Sequence, residues 1–161
     1  MARRPSAVLV WSIGFVLTVG ACAMMKKVTG GGNPSVTLTA TQELNVRSDG
    51  RALGSLHVRA YLLTDAANFR SLSYDDLWSQ RKLDKDAAVL DVQEDVVTPD
   101  SKKKLELKQK KDKEAKFIAV LAGYAEPESD GAWRQVVALE GGHNNVEIAL
   151  GPKGMRPAAL K

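Results

Sequence analysis

Leu56-His57-Val58-Arg59-Ala60-Tyr61-Leu62-Leu63 sets Leu56, Val58, Ala60 and Leu62 on one side and His57, Arg59 and Tyr61 on the other. A period of two over that length predicts a strand with one face in a core and one face in solvent. Upstream, Val36-Thr37-Leu38-Thr39-Ala40-Thr41 mixes β-branched and apolar residues and predicts another strand. Between them runs a polar loop, Asn45-Val46-Arg47-Ser48-Asp49-Gly50-Arg51, with an Asp-Gly turn signal at its tip.

Downstream the period changes. Asp65 can cap a short helix through Phe69, and Ser73-Tyr74-Asp75-Asp76 has capping-box spacing. Phe69, Leu72, Leu77 and Trp78 provide apolar contacts for packing on a sheet, so a helical insert is expected at about 65–86. Strand patterns then return. They are Val89-Leu90-Asp91-Val92 with Val96-Val97, Lys104 to Lys108, Phe117 to Ala122, Trp133 to Leu139 and Val146 to Leu150. Pro99-Asp100, Glu126 to Gly131 and Gly141-Gly142 break them. Phe117-Ile118-Ala119-Val120-Leu121-Ala122 is apolar on both faces and belongs inside a sheet. Short strands separated by polar turns predict a mainly β fold, a two-sheet β-sandwich.

The other decisive stretch is N-terminal. Arg3-Arg4 precedes a run from Pro5 to Met25 without charge, and Val19-Gly20-Ala21-Cys22 sets the only cysteine behind two small residues. A basic start, an apolar segment and a small-residue cleavage site make a secretory signal. The pattern resembles the bacterial lipobox, which implies removal of residues 1–21 and acylation of Cys22. Ala23 stands where an aspartate would imply inner-membrane retention, so the resemblance implies the outer membrane. A transmembrane anchor is the competing reading, since 21 uncharged residues are long enough, but Pro5, Ser12, Gly14, Thr18 and Gly20 dilute the run. Residues 22–35, with Gly30-Gly31-Gly32-Asn33-Pro34, favour neither helix nor strand and are expected to form a flexible tether ahead of a domain spanning 36–161.

Without residues 1–21 the chain has 140 residues, one domain's length, and 21 basic against 19 acidic side chains, a net of +2. That balance does not point to nucleic acid. With Cys22 acylated no cysteine remains for a disulfide, so the fold relies on its apolar core. Catalysis is not expected. His57 and His143 have no metal-site spacing, Asp75-Asp76 is better explained by capping, and phosphate loops, nucleophile elbows and cysteine pairs are missing from the sequence. No cofactor is expected beyond the acyl lipid, and no small-molecule substrate. Lys102 to Lys116 holds eight lysines against Glu106, Asp112 and Glu114. It is read as an edge strand and hairpin guarded by lysines, with anionic headgroups or a polyanion as the alternative partners.

In order and type, the lipobox, His57 to Leu63, Asn68-Phe69, Tyr74-Asp75-Asp76-Leu77-Trp78 and Ala132 to Leu139 resemble the TssJ (SciN-type) outer-membrane lipoproteins of type VI secretion. The likeness runs from about Val36 to Leu150. It implies a transthyretin-like sandwich anchored in the inner leaflet of the outer membrane, facing the periplasm. It also implies a structural adaptor that binds the periplasmic domain of TssM through the loop between the first two strands, here Asn45 to Gly54. Val46 and Leu53 stand where the family often has proline. From the residues alone, Arg47, Asp49 and Arg51 suit charge-assisted bonds to a partner, and a solvated hairpin tip is the alternative. A periplasmic small-molecule carrier or sensor is the other functional class, and it needs an apolar pocket with converging polar groups.

Overall fold

The structure, a computed structural model, describes residues 32–139, 144–156 and 159–160. Cys22, the apolar leader, most of the expected tether, Gly141-Gly142 and His143 lie outside them. The elements in order are β1 (Ser35–Ala40), β2 (Leu56–Leu63), α1 (Ala67–Ser71), α2 (Tyr74–Trp78), a 3-10 turn (Lys82–Lys85), β3 (Val89–Val97), β4 (Lys102–Glu106), β5 (Phe117–Ala122), β6 (Arg134–Ala138), β7 (Asn145–Leu150) and a two-residue β8 (Ala159–Leu160). They form two sheets, ordered β4-β1-β7-β8 and β3-β2-β5-β6.

Alternation builds the core between these sheets. β1 and β7 run parallel in a register that pairs Val36 with Val146, Leu38 with Ile148 and Ala40 with Leu150. All six are buried. In the other sheet Val58, Ala60 and Leu62 of β2 lie opposite Ala122, Val120 and Ile118 of β5, and these join the same buried cluster. The sandwich is thus the expected mainly β fold with a helical insert.

The second face of β2 departs from expectation. Arg59 and Tyr61 are buried rather than solvated, because the insert folds back over this sheet. Phe69, Leu77 and Leu83 are the insert's large buried side chains. The Phe69 ring meets Tyr61 edge-on at 6.0 Å. The buried guanidinium is compensated. Arg59 Nε donates to Glu94 Oε1 at 2.8 Å, its Nη1 donates to the Leu77 carbonyl at 2.9 Å, and the group lies 5.1 Å from the Trp78 ring centroid. Tyr61 donates its hydroxyl proton to Asp84 at 2.9 Å, and burial pushes the phenol well above its ordinary range. Charged-group hydrogen bonds of this kind offset the desolvation that would otherwise expel them.

Local chemistry starts the helices. Ser73 Oγ accepts from the Asp76 amide at 3.2 Å and the Asp76 carboxylate accepts from the Ser73 amide at 3.3 Å, which completes the capping box. Asp65 acts one step differently from expectation. The N-cap of α1 is Ala66, and the Asp65 carboxylate accepts from the Ala67 amide at 2.7 Å. The Trp78 ring lies where a side chain at position 123 would begin, 2.7 Å from an ideal Cβ, so only glycine lets the ring pack on the sheet.

Two boundaries are corrected. Ser35 is the first residue of β1 rather than part of a tether, and Pro34 is held by the Leu107 amide at 2.7 Å. The lysine stretch is an edge strand followed by a crossover, not a hairpin. Among the described strands β4 pairs with β1 alone, while β3 before it and β5 after it belong to the other sheet. A chain that must change sheets cannot fold back on its neighbour. The sandwich therefore has two distinct poles about 20 Å apart along the six-residue β1. One holds the start of β1 and the end of β4, where Ser35 pairs with Glu106. The other holds the end of β1 and the β1–β2 loop.

Candidate partner-docking loop

The loop is built from its base. Leu44 is fully buried, and Asn45 is 6% exposed with a backbone φ of 54°. Asparagine tolerates that left-handed conformation better than most residues. Its side chain points inward. Nδ2 donates to the Ser55 carbonyl at 3.0 Å, and Oδ1 accepts from the Ala125 amide at 2.9 Å. Asn45 therefore shapes the loop instead of presenting a group to solvent. The Val46 amide donates to the Pro152 carbonyl at 2.7 Å, tying the loop to the segment after β7.

Above this base stands a miniature hairpin. Val46 bridges Ala52, the Arg47 amide donates to the Arg51 carbonyl at 3.0 Å, and the Gly50 amide donates to the Arg47 carbonyl at 3.0 Å. Gly50 has φ of 82°, as a three-residue turn ending in a left-handed residue requires. Asp49 Oδ1 accepts from the Arg51 amide at 3.0 Å. The Asp-Gly signal thus marks the true tip. Arg47, Ser48, Asp49, Gly50 and Arg51 are exposed and Val46 is half-buried. Leu53, 41% exposed, is the large apolar side chain left uncovered among the described residues.

The sequence reading missed Glu126. Its carboxylate accepts from the Ser48 amide at 2.6 Å and lies 3.5 Å from Arg47 Nε, reaching the tip from 78 residues downstream. No local pattern announces such a contact. Hydrogen bonds from Ser48, side chain first and amide second, hold the Glu126 carboxyl below its ordinary 4.5, with Arg47 and Lys153 adding attraction. A lowered folded value means this contact supports the folded loop above the unfolded value and is lost as pH falls through the lowered one. The Ser48 amide resonance is expected to titrate below about pH 4.5. In Glu126→Gln it should stay constant, and an unchanged titration in that variant would remove Glu126 from the tip.

Other chemistry is thin. Among the described residues no group of three or more His, Cys, Asp or Glu side chains is placed to hold a metal, and no described helix is long and apolar enough to cross a membrane. A cleft of about 380 Å³ lies on the insert side, lined by His57, Arg59, Trp78, Glu94 and Asp95 among others. Its charged groups are already committed. Arg59 and Arg81 both bond Glu94, and Asp95 holds Lys103 at 2.9 Å.

Residues 33–153 match the family model T6SS-SciN, described as type VI secretion lipoprotein, VasD, EvfM, TssJ. The chain belongs to the TssJ family of type VI secretion lipoproteins. Solved structures bear out the fold. The T6SS lipoprotein TssJ1 from Pseudomonas aeruginosa is 20% identical, with 79% of this chain and 94% of that one covered and a TM-score of 0.66. Serratia marcescens Lip, a membrane-bound component of the type VI secretion system, is 24% identical over 78% and 96%, with a TM-score of 0.65. A chain in the structure "T6SS protein TssM C-terminal domain (869-1107) from EAEC" is 20% identical over 81% and 98%, with a TM-score of 0.64. No curated protein matches the chain in sequence.

Proposed function

We propose that this TssJ-family chain is a non-enzymatic adaptor. Acyl chains on Cys22 anchor it in the inner leaflet of the outer membrane, facing the periplasm. Residues 1–21 are the removed leader, and the chain from Cys22 to about Asn33 is the tether to the sandwich. The β1–β2 loop grips the periplasmic domain of TssM and so fastens the secretion membrane complex to the outer membrane. One observation carries this reading: a stapled loop with exposed Arg47, Asp49, Arg51 and Leu53 stands at the pole opposite the tether root. An anchored domain would thus present the loop away from the membrane. The solved structure that carries TssM in its name supports the choice of partner.

The loop is stapled before binding, so little ordering entropy is lost on association. Arg47 and Arg51 supply planar cations suited to carboxylates. Arg47→Glu with Arg51→Glu is expected to weaken capture of the TssM periplasmic domain more than tenfold, since hydrogen bonds to charged groups are worth about 1.5–3 kcal/mol each. The circular dichroism spectrum should not change, because both side chains are exposed. Equal capture by the folded double variant would take the loop out of the interface.

A further inference from the structure

The tether root and the lysine crossover share one pole. The Leu107 amide donates to the Pro34 carbonyl at 2.7 Å, and the Lys108 amide donates to Asp91 Oδ2 at 2.7 Å. At its far end the Lys116 amide donates to the Leu63 carbonyl at 2.8 Å. The connection is therefore pinned at both ends, and its Leu107–Lys108 end lies beside the point where the chain enters β1. We propose that the Lys108–Lys116 crossover is a second, electrostatic membrane contact, whose lysines engage anionic phospholipid headgroups of the leaflet that holds the Cys22 acyl chains. The proposal rests on the lipid anchoring inferred above.

Charge and composition select this partner. The crossover carries Lys108, Lys110, Lys111, Lys113 and Lys116 against Asp112 and Glu114, and all five lysines are exposed. Lys108, Lys110 and Lys111 have no ion-pair partner among the described residues, and Lys113 Nζ reaches only the Ala87 carbonyl at 3.5 Å. The lysines of β4 differ. Lys102 faces Glu147 at 4.0 Å, Lys103 is bound to Asp95 and Lys104 to Glu106 at 3.2 Å. No aromatic or large apolar side chain lies between Lys108 and Lys116. Neither base stacking nor insertion into the acyl layer has a side chain to make it, so attraction to phosphates is what the lysines offer, and the lipid anchor sets headgroup phosphates beside them.

Covalent geometry brings the lysines within reach. Gly32 lies ten positions after Cys22, at most about 36 Å of chain. With acyl chains at one end, contact between the crossover and the same membrane is intramolecular, so weak attraction is amplified. The same contact would turn the β1–β2 loop outward. A tether by itself fixes distance but not orientation, and two attachments at one pole fix both.

The test uses the full chain purified from its membrane and reconstituted into phosphatidylcholine vesicles with or without phosphatidylglycerol. Acetylation of each lysine is followed by mass spectrometry. On anionic vesicles Lys108, Lys110, Lys111 and Lys113 should react roughly fivefold or more slowly than on neutral ones. That protection should vanish between about 0.05 M and about 0.5 M salt. Replacing these four by glutamine should abolish the chain's response to phosphatidylglycerol at Lys116, while Lys102→Gln with Lys104→Gln should leave it intact. Equal reactivity on both vesicles with the chain still inserted would overturn the proposal and leave the anchor standing. Binding to anionic but not neutral vesicles would overturn the anchor and support the lysine contact. Binding to neither would overturn both. Equal protection by a dissolved oligonucleotide would reassign the site to nucleic acid and overturn it.

Discussion

Cys22→Ser is expected to remove the chain from the outer-membrane fraction almost completely. The reason is quantitative. Each buried methylene contributes about 0.8 kcal/mol, so a single acyl chain gives marginal binding, with an association constant of about 10⁴ M⁻¹, and two or more hold firmly. Serine has the shape of cysteine but cannot carry the thioether that the lipobox implies. Among the described residues no helix is long and apolar enough to cross a bilayer in place of the lipid. Its outer-membrane share should fall by about a hundredfold or more, leaving at most a salt-sensitive residue held by the lysine crossover. Mass analysis of the native chain checks the same point independently. An unchanged outer-membrane location in the serine variant, or a native Cys22 without lipid, would end the anchoring proposal and the orientation argument built on it.

Asn45→Ala should be the most damaging change in the docking loop, although Asn45 presents nothing to a partner. Its amide satisfies the Ser55 carbonyl and the Ala125 amide, and each buried partner left unsatisfied costs about 1–3 kcal/mol. Alanine is also strained at the φ of 54° that this position holds, by about 1–2 kcal/mol. Together, and allowing for relaxation, a loss of about 3 kcal/mol is expected in urea unfolding, with the slope unchanged. Asn45→Gly separates the causes. Glycine lifts the backbone strain but not the lost hydrogen bonds, so it should recover about 1 kcal/mol relative to alanine. Both variants should capture the TssM periplasmic domain less well than wild type, because the hairpin that carries Arg47 and Arg51 loses its footing. A stability loss below about 0.5 kcal/mol would place Asn45 among ordinary surface residues.

These two predictions depend on different kinds of information. The proposal for Cys22 comes from the chain alone, because the lipobox it resembles is a pattern of consecutive residues. Asn45 was legible as part of a polar loop, but its role was not, since the groups it joins lie 10 and 80 residues away. The same holds for Glu126. Nothing in Glu126 to Gly131 beyond a turn pattern says that its acid closes on Ser48.

The strands, the Ser73 capping box and the Asp49-Gly50 tip were determined by the sequence, because alternation, capping and left-handed turns are set by residues a few positions apart. Tertiary structure alone decided that Arg59 and Tyr61 are buried, that the lysine stretch crosses between sheets, and that the start of β1 lies beside those lysines and opposite the β1–β2 loop. Each of those outcomes depends on which distant segments share a sheet or cover its face, and packing between them settles that where local pattern is silent.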